Sequence, residues 1–214
     1  MIAALLSIAA IAILVTVALF AFWRYGARVT PMPCPSWLAW SLDIDFMKKY
    51  GGQSLALEML ELSPGMRVAD VGCGPGRLTI PIAKAVEPTG EVVALDIQSK
   101  MIERLRRRID EHGVNNITLL QASAGEGRLS KDQFDRALLV TVLGEIPDRG
   151  RALKEIHDAL KPGGFLVITE VMGDPHYQRL RKVKQLAGQT GFQIGKLKTT
   201  SFSYALQLVR AFQS

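Results

Sequence analysis

The segment Val68-Ala69-Asp70-Val71-Gly72-Cys73-Gly74-Pro75-Gly76 carries an apolar run into a loop with glycine at every second position. Glycine is required where the backbone must take positive φ or lie against a ligand. A dinucleotide fingerprint needs Gly-x-Gly-x-x-Gly. Its third glycine would fall on Arg77 counted from Gly72, or on Thr79 counted from Gly74, so neither register fits. A phosphate-cradling loop of the Gly-Lys-Ser/Thr kind is absent from the sequence. A second acid follows the apolar run Val92-Val93-Ala94-Leu95, at Asp96, 20 residues beyond Gly76. A carboxylate at the tip of a second strand can accept both hydroxyls of a ribose.

Further groups able to do chemistry are Thr141, Glu145, Glu170, Asp174, His176 and Tyr177. All fall at the ends of apolar runs, where open α/β sheets bind ligands. Glu145 reads as a catalytic or substrate-contacting acid, or as a residue that starts a helix. Glu170 with His176 could act as a base or bind a cationic headgroup; equally, they could belong to a loop network that fixes the next helix. A general base is needed only where a nucleophile must lose a proton.

The elements that must position these groups alternate. Helical spacing at Leu55, Met59 and Leu62 predicts a helix over 53–62. Strands are predicted over 67–71, 91–95, 117–120, 134–140, 165–169, 192–197 and 204–212. Helices are predicted over 78–86, 100–112, 149–160 and 177–187, with turns at Ser63-Pro64-Gly65 and Pro162-Gly163-Gly164. Alternating strands and helices imply βαβ units and a parallel sheet covered on both faces. The chain has 214 residues, 48% hydrophobic and 21% charged, which suits one globular domain and excludes a disordered chain. Two cysteines, Cys34 and Cys73, exclude a disulfide scaffold, and the sequence has no zinc-type Cys/His cluster.

The N-terminus differs from the rest. Residues 2–23 carry no charge and only Ser7 and Thr16 as polar side chains. As a helix they would span about 33 Å, enough for a hydrocarbon core of roughly 30 Å. Nothing basic precedes the run, which argues against a cleaved signal peptide. A buried core helix would rarely be apolar on every side. Trp23 and Tyr25 suit an interface, and Arg24 and Arg28 follow at once. The expectation is a single transmembrane anchor over residues 1–23, with the domain in the cytoplasm. Residues 24–50 are expected to be a linker and an amphipathic cap. Three prolines lie within residues 30–36, and Trp37, Leu38 and Trp40 open an apolar run closed by Lys48 and Lys49. That run would pack on the domain, lie at the headgroups, or do both. The functional domain is placed at residues 51–214.

The motifs resemble the class I S-adenosylmethionine-dependent methyltransferases, and within them the ubiquinone/menaquinone-biosynthesis type. Asp70-Val71-Gly72-Cys73-Gly74-Pro75-Gly76 matches the first motif. Leu143-Gly144-Glu145-Ile146-Pro147-Asp148 matches the segment after the fourth strand, and Leu160-Lys161-Pro162-Gly163-Gly164 the turn before the fifth. The resemblance covers roughly residues 50–214. It implies a Rossmann-like, seven-stranded, mostly parallel sheet with helices on both faces, and S-adenosylmethionine as the methyl donor. It places Asp70 beneath the donor's amino-acid moiety. Gly72, Cys73, Gly74 and Gly76 would lie against the donor, Asp96 on the ribose, Ile97 on adenine, and Thr141 beside the site. Where the family has Asp before Ala to accept from the adenine amino group, this chain has Ser123-Ala124, an uncharged acceptor. After the fourth strand stands Thr141-Val142-Leu143-Gly144, not Asn/Asp-Pro-Pro-Tyr/Phe, which argues against a nucleobase amine as acceptor.

The resemblance and the apolar N-terminal run together lead to the expectation of a membrane-anchored enzyme that methylates a small, hydrophobic or lipid-like acceptor. A non-catalytic scaffold or sensor that binds the same nucleoside, and a methyltransferase of membrane-associated protein or RNA, are the alternatives. The net charge is +6, and from Pro175 onward there are seven cations (Arg179, Arg181, Lys182, Lys184, Lys196, Lys198, Arg210) and no acid. Few aromatics lie near them, which argues against a nucleic-acid partner. Anionic lipid is the simpler partner for a chain with an anchor. Oligomeric state and acceptor atom have no signature in the sequence.

Overall fold

A computed structural model of the chain describes residues 2–29 and 52–212. The expected proline-rich linker and the Trp37 and Trp40 segment lie outside the described residues. Helix α1 runs over Ile2–Val29, 28 residues. Within it, residues 10–19 form a continuous run of ten described side chains, all exposed. Among the described residues no helix is long and apolar enough to cross a membrane, so the structure does not show the expected span.

The rest alternates as the periodicity predicts. The elements are α2 (Gln53–Leu60), β1 (Arg67–Val71), α3 (Thr79–Val86), β2 (Glu91–Asp96), α4 (Ser99–His112), β3 (Ile117–Gln121), β4 (Phe134–Val140), α5 (Arg149–Ala159), β5 (Leu160–Val171), α6 (Leu180–Gln189), β6 (Phe192–Thr199) and β7 (Ser203–Arg210). The strands form one seven-stranded sheet in the order β3-β2-β1-β4-β5-β7-β6. Strands β1 to β5 are parallel, while β7 runs antiparallel to both β5 and β6.

Two cores sandwich the sheet. Alternate residues of β1 and β2 point to opposite faces, as pleating requires. Ala69, Val71, Val93 and Leu95 join Leu153 and Ile156 of α5 and Val183 of α6. Val68, Val92 and Ala94 join Met59 and Leu60 of α2, Ile82 and Val86 of α3 and Leu105 of α4. Each of the Val, Leu, Ile and Met side chains among them, fully buried, contributes about 1.5–3 kcal/mol. Helix α4 shows the division of labour: Met101, Ile102 and Leu105 are buried, while Arg106 and Arg107 stay in water. Helix α5 starts at Asp148, whose carboxylate accepts from the Arg151 N–H at 2.9 Å.

Two boundaries differ from expectation by three residues or more. Strand β5 begins at Leu160 rather than 165, because Leu160 pairs with Phe134 before residues 161–164 bulge out and Phe165 pairs with Arg136. Helix α6 begins at Leu180 rather than 177. The Gln178 N–H donates to Glu170 Oε2 at 3.0 Å and the Tyr204 hydroxyl to Gln178 O at 2.7 Å, which commits residues 176–178 to a loop.

Candidate active site

The C-terminal ends of β1, β2 and β4 surround a cleft of about 350 Å³. Its lining includes Gly72, Cys73, Gly74, Asp96, Ile97, Ser123, Ala124, Thr141 and Glu145 from the expected set, together with Asp174. The site lies where β1 and β4 part company in chain order, the switch point at which open α/β sheets take ligands.

The glycine loop needs glycine for three different reasons. Gly72 has φ 74, and a Cβ there would lie 2.5 Å from Val142 Cγ2. Gly76 has φ 84, and a Cβ would meet Leu105 Cδ1 at 2.2 Å. Gly76 is therefore a packing glycine against α4 and does not line the cleft. Gly74, at φ 53, faces open space: a Cβ would meet no atom within 4 Å. Of the three, Gly74 leaves room for a ligand against the backbone.

Asp96 ties this loop to β2. Its Oδ2 accepts from the Gly74 N–H at 2.9 Å and its Oδ1 from the Gln98 N–H at 2.8 Å. Burial raises its pKa, and the two backbone N–H groups pull it back by favouring the ionised form. Asp70 lies below the loop, buried, and does not line the cleft. Burial pushes its carboxyl up to about 6, the Thr79 hydroxyl opposes the rise by donating to Oδ2 at 2.6 Å, and the charge of Asp96 adds to it. Asp70 is thus a foundation for the loop, and Thr79 is the partner that sequence reasoning missed.

The remaining walls come from loops after β3 and β4. Ser123 and Ala124 are half-buried on the cleft. Glu155 of α5 holds the loop that follows them, accepting from the N–H groups of Gly125 and Leu129. Ile97 is 52% exposed on the lining. Thr141 takes φ 56, unusual for a β-branched residue. Its N–H donates to Thr169 O at 2.8 Å and its hydroxyl to Val140 O at 2.7 Å. Glu145 ends a 3₁₀ turn over Leu143–Glu145 that Arg149 holds through Leu143 O and Gly144 O. Gly144 presses on the next loop so closely that a Cβ would lie 1.9 Å from His176 O.

Glu170 and His176 do not line this cleft. Glu170 is 1% exposed, and burial pushes its carboxyl up to about 8, with the Gln178 N–H opposing and the charges of Asp174 and Glu145 reinforcing. The His176 N–H donates to Asp174 Oδ1 at 2.7 Å, and the Gln178 amide donates to His176 O at 2.6 Å. These bonds form a network that fixes the loop before α6. Burial and the Arg149 charge lower the His176 pKa. Tyr177 meets Tyr204 edge to face at 6.1 Å and stays outside the cleft. Cleft residues without a role in the sequence reading are Arg77, Gln98, Met101, Ile146 and Pro147. Their signal was their place in the segments that follow the strand ends of β1, β2 and β4.

The arrangement fits a ribose-bearing ligand. Each Asp96 oxygen spends one lone pair on a backbone N–H and keeps another for a hydroxyl. Gly74 lines the cleft, and a Cβ there would meet no atom within 4 Å.

Comparison with known proteins agrees. The methyltransferase-domain family matches residues 62–205. An uncharacterized 37.1 kDa protein in transposon TN4556 of Streptomyces fradiae is 34% identical over 73% of this chain and 44% of its own length. The ubiquinone/menaquinone biosynthesis C-methyltransferase UbiE of Shewanella baltica is 33% identical over 66% of this chain and 54% of its own. The chain thus spans about half the length of the curated relatives it matches. A crystal structure of a SAM dependent methyltransferase from Aquifex aeolicus superposes with TM-score 0.77 at 19% identity, covering 84% of this chain and all of that one. Motifs, sheet order and matched residues converge: the chain belongs to the class I S-adenosylmethionine-dependent methyltransferases and is similar to those of the UbiE type.

Proposed function

We propose that the chain moves a methyl group from S-adenosylmethionine to a small, hydrophobic or lipid-like acceptor, held at a membrane by α1 with its domain in the cytoplasm. The carrying observation is a single cleft that holds both the Gly74–Asp96 cradle and an apolar wall of Val140, Val142, Ile146 and Pro147. When bound, S-adenosylmethionine supplies an activated methyl group on a positively charged sulfur. Asp96 would hold the ribose, Gly74 would admit the ligand to the backbone, and Ser123 would accept from the adenine amine. The apolar wall excludes water and orients the acceptor, which is most of what in-line transfer asks of a protein. Glu145 and Asp174 bring carboxylates to the cleft and are its candidates for contact with the acceptor. Glu170, buried and neutral near pH 7, is a positioning residue for the Asp174 loop.

A relative named for ubiquinone and menaquinone biosynthesis supports a lipid-like acceptor. The anchor is supported by the uncharged run of residues 2–23 and by Ile11, Ile13, Leu14 and Leu19, each more than 60% exposed. Arg24 and Arg28 at its C-terminal end favour a cytoplasmic domain.

Full-length protein incubated with methyl-labelled S-adenosylmethionine and native membranes tests this reading. Label should enter the organic extract, and alkaline carbonate should leave the protein in the pellet. Label confined to water-soluble products, or protein released by carbonate, overturns the acceptor or the anchor respectively.

A further inference from the structure

Two bulky apolar side chains stand side by side at one end of the sheet. The Met172 N–H donates to Phe202 O at 2.8 Å, and their side chains are 52% and 61% exposed. Met172 follows β5 and Phe202 precedes the antiparallel β7. Both therefore lie at the C-terminal ends of the parallel strands, the end that carries the cleft. Asp174, two residues past Met172, lines that cleft.

The same rim receives the chain from α1. Gly52, the first residue described after the segment 30–51, packs there: a Cβ on it would lie 2.5 Å from Thr169 Cγ2 and 3.4 Å from Val171 Cγ2. The 22 intervening residues could reach at most roughly 80 Å fully extended. The rim is also basic. Arg179, Arg181 and Lys182 are exposed where α6 begins, directly after the loop from β5, and no acid follows Asp174 in the sequence.

We propose that this rim is a bilayer-docking surface, with Met172 and Phe202 entering the headgroup zone of an anionic leaflet and Arg179, Arg181 and Lys182 facing lipid phosphate. Isolated exposed apolar groups are ordinary on protein surfaces. Here their position at the cleft-bearing end of the sheet, beside the entry of the chain from α1 and near three exposed cations, selects a lipid surface. Interfacial apolar groups and nearby cations act together in such binding. Docking turns the cleft toward the membrane, so that a lipid-dissolved acceptor reaches the site without crossing water. The inference rests on the anchored reading given above.

The test uses the full chain with Cys34→Ser; Cys73 is buried. A polarity-sensitive fluorophore is attached to Met172→Cys, to Phe202→Cys, or to Lys131→Cys, an exposed control before β4 at the opposite end of the sheet. The protein is placed in nanodiscs of phosphatidylglycerol and phosphatidylcholine, or in detergent. Labels at 172 and 202 should shift to the blue and lose quenching by iodide in the anionic discs, while the label at 131 stays open. Charge reversal of Arg179, Arg181 and Lys182 to Glu should abolish the shift. A label at 202 as open as that at 131, with the chain held in the disc, sinks the docking rim and leaves the anchor standing. Protection already complete in detergent means that the chain covers its own rim, and also overturns the proposal. A chain that never enters the discs overturns the anchor and the rim together.

Discussion

The Gly74 N–H donates to Asp96 Oδ2 at 2.9 Å, joining the loop after β1 to the tip of β2 across 22 positions of sequence. The bond makes one object of the two motifs. It fixes the open face of Gly74 relative to the carboxylate, and it helps to keep that carboxylate ionised despite its burial. A ligand then meets a preformed backbone surface and a preformed anion, and little order is left to impose on binding.

Asp96→Ala removes the anion and releases Gly74. A charge-assisted contact to hydroxyls contributes about 1.5–3 kcal/mol, so S-adenosylhomocysteine should bind roughly ten- to a hundredfold more weakly. Isothermal calorimetry reads the loss, and circular dichroism should show an intact fold. Equal affinity in mutant and wild type would mean that the ribose is held elsewhere.

The glycines separate binding from folding. Gly74→Ala meets no atom within 4 Å but must hold φ 53, a cost of about 1–2 kcal/mol for a residue with a side chain. Its effect on S-adenosylhomocysteine binding should exceed its effect on the urea midpoint. Gly76→Ala adds a 2.2 Å approach to Leu105 on top of φ 84. It should destabilise the domain more than Gly74→Ala does. Reversal of that order would mean that Gly74 faces protein and not ligand.

The sheet was legible because each central strand is an apolar run that ends abruptly. The cleft residues read from sequence, Gly72, Gly74, Asp96, Ser123, Thr141 and Glu145, are where those runs stop. Long-range partners carry no such signature. The Thr79 hydroxyl reaches Asp70 from the first turn of a helix, and nothing in the spacing of that helix announces it. The start of α6 failed for the same reason. Tyr204 lies 26 residues from Gln178, and only the pairing of β7 with β5 brings them together. Glu170 looked like a cleft acid because it ends a strand; the pleat turns it toward Gln178 instead.

Ser123→Asp tests a departure from the family pattern. Ser123 is half-buried on the cleft, in a loop that Glu155 holds from below. A carboxylate there should strengthen the hydrogen bond from the adenine amine by about 1 kcal/mol, since charged acceptors form the stronger bonds. Affinity for S-adenosylhomocysteine should rise severalfold in Ser123→Asp and fall slightly in Ser123→Ala. If alanine binds more tightly than aspartate, the adenine is read by a different residue.

Glu170 makes stability depend on pH. Its carboxyl, raised by burial to about 8 in the folded chain, titrates from an ordinary value of 4.5 when unfolded. Between those values the folded state binds more protons than the unfolded state, so stability falls as pH rises. The contribution is fully present below the unfolded value and is lost as pH passes through about 8. Glu170→Gln keeps an oxygen to accept from the Gln178 N–H and removes the titration. The urea midpoint of the wild type should therefore drop between pH 6 and pH 9, and that of Glu170→Gln should drop less. Activity should follow, because the Asp174 loop that lines the cleft is tied to Glu170 through Gln178 and His176. Identical pH profiles for the two proteins would show that Glu170 is already ionised in the folded state, with a partner other than the Gln178 N–H to stabilise it.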